Sequence, residues 1–393
     1  MFIINLIYFF SFMLVWWTFC GYYFYLFILS RMTKKRHRPE VIEIWPTITL
    51  LVPCYNEEEY IDEKVNNLFA LEYPVDKLEI VFLDGLSTDS TVEKIKRLTT
   101  NTTNMKVYQT NCNGKISQLN AYLPKVNSDI IVITDVDGMM EPHSLVEIVK
   151  DFQSDKDVGV VGAFVSPINT SKGDRRYWDT QNKGRLLEST VHSSSIVVGV
   201  CMAFTRGVID CFPNDVLADD VFLSFEANIR GYKSLYSNHA ITYEHRVPSS
   251  FWEMIQHKFN KSNAYLKELF RFLYKAQEMD YQWQVIYFTK ILQMFILPWL
   301  FIFQFMLTCV LISLQDIELI VYALVFGSTS LFITHFIMKR ISIPIEKPQS
   351  QGLFFTLGIF LITVFILLAT GISFPFYNQL GKYQHEKVGK KNQ

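Results

Sequence analysis

The sequence predicts an α/β fold with a mostly parallel sheet, joined to transmembrane α-helices. Three observations predict it. Four long apolar runs, Phe2–Ser30, Val285–Leu314, Leu319–Met338 and Leu353–Phe376, stand at the two ends of the chain. Between residues 40 and 284 no such run occurs, and short apolar stretches alternate with amphipathic ones. The mean hydropathy of +0.16 is too high for an ordinary soluble enzyme and too low for a bundle of membrane helices, as a chain divided in this way requires.

Phe2–Ser30 is long enough to cross a bilayer, and Arg31, Lys34, Lys35, Arg36 and Arg38 follow it at once. A cleavable signal would carry its positive charge first, so the run reads as a retained anchor whose C-terminal end faces the cytoplasm. In the central region Thr47–Val52, Leu78–Leu83, Lys106–Gln109, Ile130–Thr134 and Val158–Val165 read as strands. Glu57–Leu71, Ser90–Leu98, Ile116–Leu123 and Pro142–Phe152 read as helices between them. Continuously apolar strands separated by helices form a parallel sheet covered on both faces.

Phe251–Ala276 is different. Phe251, Ile255, Phe259, Leu266, Leu269, Phe270 and Leu273 recur near helical spacing, and Lys258, Lys261, Lys267, Arg271 and Lys275 fill other faces. A basic amphipathic helix before a span can lie in the membrane interface. Of the last three apolar runs, the first would leave the cytoplasm, the second return, and the basic loop at Lys339 and Arg340 stay inside. Lys290, near the start of the 285 run, reads as snorkelling to the interface. The expected organisation is an anchor at 1–30, a cytoplasmic domain at 31–248, an interface helix region at 249–284, three membrane segments at 285–376 and a basic tail at 377–393.

Composition excludes several classes. Half of the residues are hydrophobic, which excludes disorder. A net charge of −1 gives no electrostatic case for nucleic acid. The six cysteines show no CxxC spacing and two fall in apolar runs, so neither a disulfide framework nor a zinc site is expected. A transporter would carry more spans and more polar residues within them.

The chemistry lies at the strand ends. The first strand ends in Pro53-Cys54-Tyr55-Asn56-Glu57, the second in Asp84-Gly85-Leu86-Ser87-Thr88-Asp89, and the fourth in Asp135-Val136-Asp137-Gly138. Ligands of open α/β sheets bind beyond the carboxyl ends of the strands. Two carboxylates one residue apart at the end of a buried strand repel unless a cation or hydrogen bonds compensate. Such oxygen ligands suit Mg2+ or Mn2+, which bridge protein carboxylates to phosphates.

These motifs in this order, with Gly114-Lys115 and Asn120 between the second and third, resemble the family-2 glycosyltransferases. Leu217-Ala218-Asp219-Asp220 is similar to the family's Thr-Glu-Asp segment. The resemblance covers roughly residues 46–262, and the anchor and C-terminal spans resemble the membrane-integrated branch of hyaluronan, cellulose and poly-N-acetylglucosamine synthases and ceramide glucosyltransferase. It implies a nucleotide-sugar-binding, GT-A-like domain and an inverting transfer. Tyr55 and Glu57 would border the nucleotide and Asp84 would bond the base. Lys115 would approach the diphosphate. Asp135 and Asp137 would hold the ribose side and the metal, Asp137 as direct ligand. Asp219 would line the substrate, and Asp220 would take the proton of the acceptor hydroxyl.

The chain departs from that branch in one respect. Where the branch carries Gln-x-x-Arg-Trp, Gln256 is followed by His257, Lys258, Phe259 and Asn260. The aromatic platform for a growing polymer is missing from the motif position. The expected function is therefore transfer from a nucleotide diphosphate sugar, UDP-linked, to a lipid-linked or glycan acceptor at the cell membrane. Processive polysaccharide synthesis is the alternative, and a transporter or inactive scaffold the non-enzymatic one.

Overall fold

A computed structural model describes residues 1–34, 36–168, 172–246, 248, 250–345 and 362–374. Helix α1 (Phe2–Met32) is long and apolar enough to cross a membrane. An eight-stranded sheet follows, with strand order β3-β2-β1-β4-β7-β6-β8-β5. Its strands are β1 (Ile48–Cys54), β2 (Leu78–Asp84), β3 (Met105–Gln109), β4 (Ile130–Thr134), β5 (Gly138–Met140), β6 (Val158–Pro167), β7 (Cys201–Thr205) and β8 (Lys233–Glu244). The half β3-β2-β1-β4 is parallel, as its apolar strands predict. Strand β7 then runs antiparallel between β4 and β6, and β5 antiparallel to β8.

Between the strands lie α2 (Ile61–Phe69), α3 (Thr91–Leu98), α4 (Lys115–Tyr122), α5 (Ser144–Phe152), α6 (Lys172–Val191) and α7 (Asp219–Ile229). Alternate residues of β1 face opposite cores, as the period of two requires. Leu50 and Val52 pack with Val65 and Leu68 of α2 and Ile148 of α5. Leu51 packs on the other face, in a cluster with Leu119 of α4 and Phe225 of α7. Helix α2 begins four residues later than Glu57, because loop contacts described below hold Glu57–Tyr60 in a turn.

Helix α8 (Phe251–Arg271) starts at a Ser250 cap whose hydroxyl accepts from the Glu253 N–H at 3.2 Å. Its second half is packed: Leu266 and Leu269 are fully buried against α7 and against α9 (Tyr281–Ser313). Phe251 and Trp252, at its start, are exposed. Helices α9 and α10 (Glu318–Lys339) are also long and apolar enough to span, and α11 (Ile362–Phe374) is a shorter apolar helix. The rest of the last apolar run and the basic tail lie outside the described residues.

Polar side chains join α1 to α9, where each helix has a π turn, at Trp17–Gly21 and Leu292–Ile296. Gln293 Nε2 donates to Thr18 O at 3.1 Å, and Trp17 Nε1 to Thr289 Oγ1 at 3.0 Å. Tyr22 and Leu26 of α1 and Trp283 and Tyr287 of α9 belong to the same buried cluster as the sheet residues Leu51 and Val81. The long apolar helices α1 and α9 and the sheet therefore share one core.

Two basic residues after α1 serve the domain directly. Arg36 donates to Ser189 O and His192 O at 2.6 and 2.8 Å, and Arg38 pairs with Asp151 at 2.7 Å and with Glu147. Lys290 differs from the expectation. Its Nζ lies 2.7 Å from Oε1 of the buried Glu188 on α6, so a carboxylate of the protein core, and not the lipid headgroups, takes its charge.

Candidate active site

The C-terminal ends of β1, β2 and β4 and the N-terminal end of the antiparallel β7 meet at one edge of the sheet, because Thr134 pairs with Cys201 and Cys54 with Asp84. Gly114, at φ +97°, turns the chain into α4 and sets Lys115 as its first residue. The Lys115 Nζ lies 2.8 Å from Asp135 Oδ1 and 3.0 Å from Asp219 Oδ2, and donates to Gly199 O at 3.3 Å. Burial alone would lower the Lys115 pKa, but the Asp135 and Asp219 carboxylates outweigh it and hold the ammonium above its ordinary value. Asp219 is raised, by burial first and by Asp220 and Asp135, with Lys115 opposing.

Asp219 and Asp220 open α7, where carboxylates are favoured by the helix terminus. Asp220 is oriented by two backbone donors: Gly199 N–H to Oδ2 at 3.0 Å and Val221 N–H to Oδ1 at 2.9 Å. The sequence thus brings Lys115, Asp135, Asp219 and Asp220 together around Gly199. Val198, just before it, is held at φ +60°, an unfavourable conformation for a β-branched residue.

The Asp135-Val136-Asp137 turn is fixed through its backbone. Asp135 N–H donates to Val200 O at 3.0 Å, and His245 N–H to Asp137 O at 3.0 Å. Beneath it sits Lys64 of α2, fully buried, whose Nζ donates to Thr134 Oγ1 at 2.9 Å and to Gly138 O. These two acceptors flank the acidic tripeptide. Burial lowers the Lys64 pKa to about 8, with Asp135 and Asp137 among the charges opposing. A buried lysine amid Ile61, Val65 and Leu68 gave no sequence signal, since lysine is ordinary on a helix surface. Glu244, paired with Gly138 across β8 and β5, is also raised by burial, with Asp137 and Asp135 adding to the shift and Lys261 opposing.

Among the described residues, no three His, Cys, Asp or Glu side chains converge as a closed metal cage. An open site of one or two carboxylates is what a cation shared with a diphosphate and water requires. Asp137 fits that donor set: its half-buried side chain has no hydrogen bond or ion pair among the described residues. The His245 ring lies 3.3 Å from Glu63 on α2.

The loops after β1 and β2 are knitted together. Asn56, at φ +52°, accepts from Thr88 N–H at 2.8 Å, Glu57 N–H donates to Thr91 Oγ1 at 2.8 Å, and Glu58 N–H to Asp89 Oδ2 at 3.1 Å. The Glu57 carboxylate pairs with Arg246, which lies 4.7 Å from the centre of the Tyr60 ring. Tyr55 is half-buried beside them, and Asp84 is buried with long contacts to Ser87 N–H of 3.3 and 3.4 Å. Asn120 is structural, exchanging hydrogen bonds with the Phe212 backbone at 2.7 and 2.8 Å.

The family model described as "Glycosyl transferase family 2" matches residues 49–212, which hold the strand-end motifs. The chain carries a family-2 glycosyltransferase domain. Asp219 and Asp220 lie just beyond the matched range. Poly-beta-1,6-N-acetyl-D-glucosamine synthase of Staphylococcus aureus is 24% identical over 238 residues, covering 57% of this chain and 56% of that protein. Beta-monoglucosyldiacylglycerol synthase of Nostoc is 28% identical over 160 residues, 40% of this chain and 33% of its own. The chain thus spans about half or less of the length of these curated relatives. A mannosyltransferase of Pyrobaculum calidifontis, solved in complex with GDP-Man and Mn2+, superposes with a TM-score of 0.67 at 21% identity, covering 93% of this chain and 97% of its own. The glycosyltransferase domain and its apolar helices therefore share that protein's fold, a GT-A sheet of mixed direction.

Proposed function

We propose that this chain is a multi-pass membrane glycosyltransferase that moves a sugar, with inversion, from a nucleotide diphosphate donor to a lipid-linked acceptor. UDP-sugars are the first donor class to test. The observation that carries the reading is Lys115, which draws Asp135 and Asp219 to within 3.0 Å beside Asp220 at the ligand-binding edge of the sheet. Asp84 and Tyr55 border the nucleotide, with Glu57 supporting that wall through Arg246. Asp137, with Asp135, would hold Mg2+ or Mn2+. When bound, that cation offsets charge developing on the diphosphate.

A sugar hydroxyl is a poor nucleophile until a base accepts its proton. Asp220 takes that proton as the acceptor oxygen bonds to the anomeric carbon. The bond from that carbon to the diphosphate oxygen breaks, and the nucleoside diphosphate leaves with the electron pair. Lys115, released in part from its carboxylates, meets the leaving group's charge. One base and one cationic site serve a single displacement. The catalytic domain faces the cytoplasm in this reading, with Arg31 and Lys34 beside the end of α1.

The missing Arg-Trp pair favours single transfer. The likeness to the poly-beta-1,6-N-acetyl-D-glucosamine synthase supports a second reading, processive polymerisation. Membranes containing the full chain, incubated with radiolabelled UDP- and GDP-sugars in Mg2+ or Mn2+, separate the two. Label in the organic phase supports the lipid acceptor, whereas a water-soluble polymer supports the second reading. No transfer from any donor would sink both.

A further inference from the structure

Glu188 lies on α6, 1% exposed, and takes no part in the chemistry above. Four donors saturate its carboxylate, and they come from three separate segments. Tyr22 of α1 donates to Oε1 at 2.7 Å. Lys290 of α9 lies 2.7 Å from the same oxygen. The N–H and hydroxyl of Ser195 donate to Oε2 at 2.9 and 2.7 Å. Burial alone would raise its pKa, but Lys290 and Ser195 outweigh it, so the group is held below its ordinary value. A buried ion pair with all lone pairs satisfied makes a rigid junction.

Ser195 begins the segment that ends in the candidate active site. Val197 O would lie 2.0 Å from a Cβ at Gly162, so only glycine there lets the segment approach β6. Val198 is at φ +60°. Gly199 then donates to Asp220 and accepts from Lys115, and Val200 O accepts from Asp135 N–H and Thr134 Oγ1, both at 3.0 Å. Only three residues, 196–198, separate Ser195, bonded to the carboxylate that α1 and α9 clamp, from the Gly199 amide that orients Asp220. Strained backbone persists only where its surroundings over-determine it, and Glu188 fixes one end of this stretch.

We propose that Glu188 is a positioning residue: it fixes the 195–200 segment to α1 and α9, and through Gly199 holds Asp220 in place, so transfer depends on the membrane helices being docked. The proposal rests on Asp220 being the base. The full chain in membranes tests it with Glu188→Gln, and with Ser195→Ala, which leaves the ion pair intact and decides the matter should Glu188→Gln not fold. The expected result is a kcat loss of about tenfold or more for Glu188→Gln and about threefold for Ser195→Ala, with UDP affinity within about twofold, since Asp84 ends β2, outside the 195–200 segment. In an Asp220→Asn background, Glu188→Gln should cost nothing further. Unchanged kcat in both variants, multiplicative losses in the double variant, or loss of UDP binding in step with kcat would overturn it. Full transfer by Asp220→Asn alone would instead sink the base reading, and the route through Gly199 with it.

Discussion

Lys64 reaches Thr134 from beneath the acidic turn, Nζ to Oγ1 at 2.9 Å, and grips Gly138 O on the turn's other side. A methionine would fill the same space without either bond. It would leave the Gly138 carbonyl without that donor, costing about 1–3 kcal/mol, while removing a buried charge that offsets part of the loss. Lys64→Met should therefore fold, with a modest change in thermal midpoint. Transfer should fall by about tenfold or more, because the turn that carries Asp135 and Asp137 loses its support. Unimpaired transfer in a well-folded Lys64→Met would show that the turn holds without it.

In the proposed reading Asp137, half-buried at the end of the acidic turn, is the cation ligand. Asp137→Ala should lower transfer by about a hundredfold or more and leave membrane insertion and thermal unfolding intact. Mn2+-dependent binding of UDP, followed by calorimetry, should disappear in the variant. Retained metal-dependent binding would move the ligand role to Asp135 or Glu244.

How far the sequence could be read follows from where each signal resides. Strands β1, β2 and β4 are runs such as Ile130-Ile131-Val132-Ile133, apolar on both faces, and a parallel sheet buried on both sides leaves that mark. Strand β8 contains Ser234, Ser237, Asn238 and His239, and its place beside β6 depends on partners far away in the chain. The strand-end motifs are local, so Asp135 and Asp137 could be picked out, whereas Lys115 and Asp220, at the starts of α4 and α7, stood out only through the resemblance to the family. Lys64 and Glu188 could not: each is an ordinary polar residue on an amphipathic helix until the fold buries it. Lys290 was legible as a charge in an apolar helix, but its partner is 102 positions away, which no periodicity reports.

Glu188 also predicts a response to acid. Its folded pKa lies below the ordinary value of 4.5, so the unfolded chain binds the proton more readily. The resulting stability is present above about pH 4.5 and lost as pH falls through the folded pKa. Thermal unfolding of the full chain in detergent should show a midpoint that drops on acidification below about pH 4.5. The drop should be shallower in Glu188→Gln. An equally steep drop in the variant would assign the acid response to other carboxylates.

Topology is tested by labelling. Ser154 is half-buried, its hydroxyl on Asp151 O at 2.6 Å, so the exposed neighbour Lys156 is the better probe position. In a chain with the exposed Cys211 and Cys309 replaced, Lys156→Cys should react with an impermeant maleimide only after permeabilisation. Labelling in intact cells would reverse the orientation inferred from the residues after α1.

The division of labour between Asp220 and Asp84 gives the sharpest test of mechanism. Asp220 stands at the start of α7, oriented by Gly199, whereas Asp84 ends β2 and borders the nucleotide in the proposed reading. A base acts on the acceptor, not on donor binding. Asp220→Asn keeps the size of the side chain and can still accept from Gly199 N–H, but it cannot take a proton at neutral pH. Loss of a positioned base costs roughly 10² to 10⁴ in rate. UDP affinity should then change by less than about threefold, under ~0.7 kcal/mol. Asp84→Asn should show the reverse profile, with donor affinity weakened first. Should Asp220→Asn lose UDP binding instead, its carboxylate serves the donor site, and the base must be sought at its neighbour Asp219, 3.0 Å from Lys115.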